Sequence, residues 1–368
     1  MTHQVPAPTP ARTGLRALRI GFVLLVVVSL SAASFALRIL SAPAAVIPPD
    51  TSDNRQIEFL ALGDQGSGSL RQWRVARGME AVAERDRRVN FAIALGDNFY
   101  SSGIDSLDDR QWRYKFENVY RGRYLSALPF YAVLGNHDYQ GRPDLEIEYS
   151  RRRLGSARWR MPDHYHVEDY GQAGGRPLLR LVYLDSNLTG TALATQTAFL
   201  QRALSAADGP RPVWQALASH HPLRSFGRHA RLADGAGNPV PDAAEKAGEE
   251  AEDEEGNAEA FADQTLAVAT AAKVDLVLSG HDHDQQVIAH PGEPAQVVTG
   301  GGGKPPYAVR HRGPDLKYSA SENGFVKIAV DPDTLEIDMM NRDGAVRARF
   351  REERSCIPDL QVCLRGPG

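Results

Sequence analysis

From residue 56 onward, short apolar runs alternate with stretches whose apolar residues recur at helical spacing. The runs read IEFLALGD, VNFAIALGD, LPFYAVLGNHD, LLRLVYLDS, VWQALASHH and VDLVLSGHDH, and each closes on a glycine or a polar cluster. Continuous apolar runs of four to eight residues predict strands buried on both faces of a sheet. Between them, SGSLRQWRVARGMEAVAERD and TALATQTAFLQRALSAA predict amphipathic helices. The later runs AQVVTGG, FVKIAV and LEIDMM, separated by turn residues, predict a terminal set of antiparallel strands. The alternation as a whole predicts an α/β fold without internal repeats. One segment breaks it. Between Asp242 and Glu259 stand nine acids and one lysine among Ala and Gly, which predicts a solvated acidic loop inserted over about 234–259.

The N-terminus follows another pattern. Arg12, Arg16 and Arg19 precede IGFVLLVVVSLSAASFAL, and SAPAA follows with Ala42 and Ala44 in A-x-A spacing. Basic flank, apolar core and small-residue exit predict a secretory signal. An uncleaved anchor over residues 20–37 is the alternative, because the run is about as long as a minimal membrane span. In either case the body of the chain is placed outside the cytoplasm, periplasmic or extracellular. The predicted organisation is a leader or anchor plus linker over 1–50, one catalytic-sized domain over 51–353, and a tail over 354–368.

Composition narrows the chemistry. Residues 1–44 hold four arginines and no acids, so without them the formal charge of −4 becomes −8. A body that acidic argues against nucleic acid as a partner. The two cysteines, Cys356 and Cys363, cannot form a thiolate metal cage. In an oxidising compartment they are a candidate disulfide, with two free thiols as the alternative.

Five of the strand ends carry oxygen and nitrogen donors. They are Asp64 in GDQG, Asp97 and Tyr100 in GDNFY, Asn136 and His137 in GNHD, His220 in LASHHP, and His281 and His283 in GHDH. The carboxyl ends of strands in an open α/β sheet converge on one crevice, so residues far apart in sequence can meet there. Any one of these motifs is common without a function. Five together are not explained by packing. Asp, Tyr, Asn and His without thiolates suit first-row transition ions, and one central carboxylate can bridge two ions about 3.5–4 Å apart. Asp97 is the natural bridge.

The ordered set GDxG, GDxxY, GNH[DE], xxH and GHxH resembles the calcineurin-like metallophosphoesterases, and within them the purple acid phosphatases of the small tartrate-resistant type. The segments LGDNFYSSGI, VLGNHDYQG, RWRMPDHYH and SGHDHDQQ carry the likeness, which spans roughly residues 56–350. It implies a four-layer α/β/β/α sandwich with a dinuclear metal site at the strand C-terminal ends. The implied ligands of the first ion are Asp64, Asp97, Tyr100 and His283, and of the second Asp97, Asn136, His220 and His281. Other members of the superfamily have a histidine two places after the first aspartate; this chain has Gly66 there, and the Tyr100 phenolate is the implied replacement. A phenolate favours ferric iron, so the implied cofactor is Fe(III) with a divalent iron, zinc or manganese. Two aspartates and a phenolate would leave that pair about +2, suited to holding a hydroxide and a phosphate together.

The resemblance further implies that His137 faces the leaving oxygen and that His229, nine residues after His220, is a second substrate-facing histidine. His221 is read as turned away, because adjacent side chains of an extended strand point to opposite faces. His164 and His166 are read as ordinary loop or core residues, and Lys304 in GGGGKPPYAVR yields no substrate pattern. The implied activity is that of an exported acid phosphatase, which hydrolyses small-molecule phosphate monoesters by attack of a metal-bound hydroxide. Two alternatives remain: a phosphodiesterase on nucleotides or lipids with the same ions, and a non-catalytic binding protein on the same fold.

Overall fold

In the strand Ile57–Leu62 the side chains of Phe59 and Ala61 face one way and those of Leu60 and Leu62 the other, and all four are buried. That double burial is why the strands read as unbroken apolar runs. The computed structural model describes residues 46–354 apart from 52, 206–208, 233–237 and 240–248, with Ser29 alone before them; for 238–239 and 249–256 it describes the backbone only. The chain divides into Met1–Ala44 and Ala45–Gly368, and the second unit carries both large sheets. The predicted leader, except Ser29 and residues 46–50, and the Cys356–Cys363 pair lie outside the described residues. Among the described residues no helix is long and apolar enough to cross a membrane.

Two seven-stranded sheets stack face to face. The first runs Val346–Glu353, Thr334–Asn341, Gly324–Val330, Ile57–Leu62, Val89–Leu95, Phe130–Val133, Trp159–Arg160. Its last four strands are parallel and its first three antiparallel. The second runs Leu316–Ala320, Gln285–Ile288, Ala295–Thr299, Leu276–Ser279, Trp214–Ala218, Arg176–Tyr183, His166–Ala173. Phe59, Phe91 and Ile328 from one sheet meet Leu181, Trp214 and Leu278 from the other in the central core.

Each outer face is covered by helix. Leu70–Asp86 lays Val75, Met79 and Val82 over Leu60, Leu62 and Ala92. Its start is fixed by Ser69, whose hydroxyl accepts from the backbone N–H groups of Arg71 and Gln72. On the other side, Leu193 and Leu200 of Gly190–Leu204 join Phe261 and Leu266 of Glu249–Ala271 over Val182, Leu217 and Val277. Each such buried side chain contributes about 1.5–3 kcal/mol. The four-layer α/β/β/α arrangement is as expected.

Two expectations need correction. The acidic stretch is not loop throughout: from Glu249 its backbone is helical and continues to Ala271. Ala and Glu are strong helix formers, and acids are favoured near a helix N-terminus. The charge count signalled solvation and hid the propensity. Likewise AQVVT does not join the terminal antiparallel set. Ala295–Thr299 lies in the second sheet, parallel to Leu276–Ser279 and antiparallel to Gln285–Ile288. A strand signal carries no information about its partner.

Candidate metal centre and substrate cavity

The first sheet delivers Asp64 just past Leu62, Asp97 and Tyr100 past Leu95, and Asn136 and His137 past Val133; the second delivers His220 past Ala218, and His281 and His283 past Ser279. Turning these residues inward takes unusual backbone. Asp64, Asp97 and His281 all lie in the left-handed region, with φ of 60°, 54° and 68°. Non-glycine residues hold such angles at some cost, and they cluster where function fixes geometry.

The donors fall into two groups. In one, the Tyr100 hydroxyl is 2.8 Å from Asp64 Oδ1 and 3.1 Å from His283 Nε2, and His283 Nε2 is 3.3 Å from Asp64 Oδ1. In the other, His220 Nε2 is 3.0 Å from Asn136 Oδ1 and 3.3 Å from His281 Nδ1. Asp97 stands between them: its Oδ1 approaches His220 Nε2 to 3.5 Å, and its charge acts on the Tyr100 phenol. Asp64, Asp97 and His220 can offer donor atoms all within 4.8 Å of one another, as can His220, His221 and His281.

Tautomer chemistry shows that these groups fit cations. His220 Nδ1 lies 2.9 Å from the Leu95 carbonyl, an acceptor only, so Nδ1 carries the hydrogen. In the neutral ring Nε2 then presents a lone pair to Asn136 Oδ1 and Asp97 Oδ1, which are also acceptors. Burial works to lower this imidazole, but the charges of Asp97 and Asp64 outweigh it and raise it, so the site calls for a positive charge at Nε2. Lone pairs so crowded are reconciled by a positive charge between them. Tyr100 tells the same story. Burial, then the charges of Asp64 and Asp97, push its phenol well above the usual range, so a phenolate there requires a cation of high charge. Burial works to raise the Asp64 carboxyl too, but the hydrogen bond and charge of His283 outweigh it and hold it below its usual value. Burial, then His221 and His229, keep the His281 imidazole well below its ordinary value, hence neutral, as a ligand must be.

The structure also accounts for Gly66. A Cβ there would lie 2.0 Å from the Asn98 carbonyl oxygen and 2.5 Å from the Phe99 nitrogen. No side chain fits, histidine included, and the Tyr100 oxygen lies between Asp64 and His283 instead.

A cavity of ≈ 540 Å³ opens over the donors. His137 lines it, its Nδ1 donating to the Ser101 carbonyl at 2.6 Å and its ring 4.6 Å from that of Tyr100. His229 lines it too, with its ring 4.3 Å from that of His281 and its backbone N–H donating to Asp282 at 3.0 Å. Arg228, Arg231, Tyr307 and His311 add further wall. Tyr307 stacks on His283 at 4.2 Å, and the Arg228 guanidinium sits over Tyr307. All nine residues singled out in the sequence are thus brought together.

Three residues depart from expectation or carry no expectation at all. His221 is not turned away: it lines the cavity, 4.4 Å ring to ring from His281. Its strand ends at Ala218, so the alternation of faces no longer applies. Asp138 and Asp282, the acids inside GNHD and GHDH, are buried organisers. Asp138 accepts from the backbone N–H groups of Asn98, Phe99 and Gly135, tying the Asp97 loop to the Asn136 loop. Burial, then Asp97, raise its carboxyl to about 7. Both acids sit inside motifs already singled out, GNHD and GHDH. His164, read as ordinary, has its Nδ1 2.7 Å from Asp185 Oδ2 and does not line the cavity.

The fold and the donor set define a metallophosphoesterase, and comparison with known proteins agrees. The calcineurin-like phosphoesterase family matches residues 58–285, and the chain belongs to it. It is similar to purple acid phosphatase 4 of Arabidopsis thaliana, 26% identical over 313 residues, covering 81% of this chain and 84% of that one. It is also similar to human tartrate-resistant acid phosphatase type 5, 25% identical, covering 73% and 80%. Among solved structures, GAP50, the anchor in the inner membrane complex of Plasmodium, superposes with a TM-score of 0.65 at 20% identity, covering 80% of this chain and 87% of that one. The chain is therefore a purple acid phosphatase-like metallophosphoesterase with the residues for a dinuclear centre.

Proposed function

We propose that the chain is an exported acid phosphatase that hydrolyses phosphate monoesters at a centre of Fe(III) paired with a divalent ion. The observation that carries this reading is the convergence of seven donors on two groups sharing Asp97, with the His220 lone pair facing two other acceptors. Asp64, Tyr100 and His283 would hold the first ion, Asn136, His220 and His281 the second, and Asp97 both. When bound, the pair would supply Lewis acidity toward the phosphoryl oxygens and an activated water at mildly acidic pH.

The chain's own groups do the rest. The Ser101 carbonyl fixes His137 through Nδ1, so that in the doubly protonated ring Nε2–H is the atom that hands a proton to the departing alkoxide, leaving the ring neutral. His229, held over His281 by the bond from its backbone to Asp282, contacts the ester from the other wall. Small phosphate esters fit a cavity of ≈ 540 Å³. The arginine-flanked apolar leader supports export, with cleavage or retention as an anchor decided by the N-terminal sequence of the mature protein.

The test is protein purified from the exported fraction, assayed for metal content, visible absorbance, and rates on p-nitrophenyl phosphate and its bis-ester across pH. Two ions per chain including iron, a purple band, faster monoester cleavage and an acid optimum are expected. A colourless manganese protein active only above about pH 8 would refute the reading, since it would need no phenolate-bound ferric ion. Faster diester cleavage would replace monoesterase with phosphodiesterase. The likeness to an anchor protein favours a non-catalytic role, but loss of activity on such a fold removes donors, and here every donor is in place.

A further inference from the structure

His221 has no part in the chemistry proposed for the centre, yet its environment is built with care. The residue is 3% exposed and lines the cavity, and its Nε2 has no hydrogen-bond partner among the described residues. The other ring nitrogen does. Ser186 Oγ lies 2.8 Å from His221 Nδ1, and the same oxygen accepts the His221 backbone N–H at 3.0 Å. Ser186 is 1% exposed, and among the described residues His221 Nδ1 is the acceptor within reach of its hydroxyl proton. If Nδ1 instead donated to Oγ, that proton would be buried without an acceptor. The serine hydroxyl therefore donates to Nδ1, and Nε2 is the nitrogen that carries hydrogen.

This tautomer separates His221 from its neighbour. In His220 the Leu95 carbonyl takes the Nδ1 hydrogen and leaves Nε2 a lone pair for a cation. In His221 the polarity is reversed: Nε2 carries the hydrogen, in a ring 4.4 Å from that of His281. A buried donor without a partner is costly, and in a phosphatase the groups entering this cavity would be phosphoryl oxygens. Resting on the phosphatase reading, we propose that His221 is a substrate-binding residue whose Nε2–H donates to an oxygen of the phosphoryl group at the second ion, its tautomer set by Ser186.

The experiment compares wild type, His221→Phe, His221→Gln and Ser186→Ala for metal per chain and for binding of inorganic phosphate by titration calorimetry. His221→Phe should keep both ions and weaken phosphate about tenfold, the size of one hydrogen bond to a charged partner. His221→Gln, whose amide restores a donor, should recover most of that. Ser186→Ala keeps the imidazole but frees its tautomer, and should fall between. Loss of one ion in either His221 variant would make it a metal ligand and overturn the proposal. So would phosphate binding by His221→Phe or Ser186→Ala equal to wild type. Wild-type protein that binds neither metal nor phosphate refutes the phosphatase reading itself; wild-type binding with an indifferent His221→Phe refutes only this inference.

Discussion

Gly66→Ala is a one-carbon change whose effect can be worked from distances. The new Cβ would meet Asn98 O at 2.0 Å, Asn98 C at 2.1 Å and the Phe99 nitrogen at 2.5 Å. Ordinary contact requires about 3.5 Å, so the backbone at 98–99 must retreat by more than about 1 Å. It has nowhere to go. Asn98 and Phe99 donate to Asp138 behind them, and Gly66 is tied to the same loop by its N–H to Asp97 O at 3.1 Å and by Tyr100 N–H to its own carbonyl at 2.9 Å. Overpacking of this kind costs about 1–3 kcal/mol, and one or two broken hydrogen bonds add about 1 kcal/mol each. We expect a loss of about 2–5 kcal/mol in urea unfolding. The retreating segment lies between Asp97 and Tyr100, so both donors move with it, and a misplacement of about 1 Å costs about 100-fold in kcat/KM. Unfolding midpoint, metal content and initial rates on one preparation check each step. A Gly66→Ala protein within about 0.5 kcal/mol of wild type, with full metal and rate, would show that the loop yields and that glycine is not what excludes a side chain there.

Tyr100→Phe keeps the ring and removes the oxygen facing Asp64 and His283; the visible band should vanish, and an unaltered band would refute phenolate ligation. Lys304→Met removes the ammonium 4.2 Å from the Tyr100 ring centroid. That should raise the energy of the phenolate electrons and move the band to longer wavelength, and an unmoved band would deny the contact. His137→Ala should lower kcat by about 100- to 10,000-fold on alkyl phosphates and much less on p-nitrophenyl phosphate, whose leaving group needs no proton; equal losses on both would exclude proton donation. Glu352, raised to about 8 by burial and then by Asp275, is neutral in the fold. Its stabilising protonation is complete below the unfolded value and lost as pH rises through about 8. Wild type should therefore lose stability between pH 5 and 9, by at most about 4–5 kcal/mol, and Glu352→Gln should not. Parallel melting curves would refute this.

The candidate metal centre was legible because metal chemistry restricts residue types and strand ends restrict place: Asp64, Asp97, Asn136, His220 and His281 each stand at a motif and at a strand terminus. Sheet membership was less so, since Ala295–Thr299 looks the same whichever neighbour it pairs with. His221 escapes a reading that carries strand geometry past Ala218. The roles of Asp138 and Asp282 are hidden for another reason: apart from Gly135, their backbone N–H partners stand 39 to 53 positions away, which no sequence pattern encodes.

The two donor groups each draw on both sheets, with His283 facing Asp64 and Tyr100, and His220 and His281 facing Asn136. A pair of ions seated there would act as rivets through the seam of the sandwich, adding to the apolar core and the few hydrogen bonds, such as that of His220 to the Leu95 carbonyl, that join its halves. Chelation would then loosen the whole molecule rather than only silence its chemistry. Acquiring metal would be the closing step of maturation, and a chain starved of it would stay unlocked and exposed to proteases.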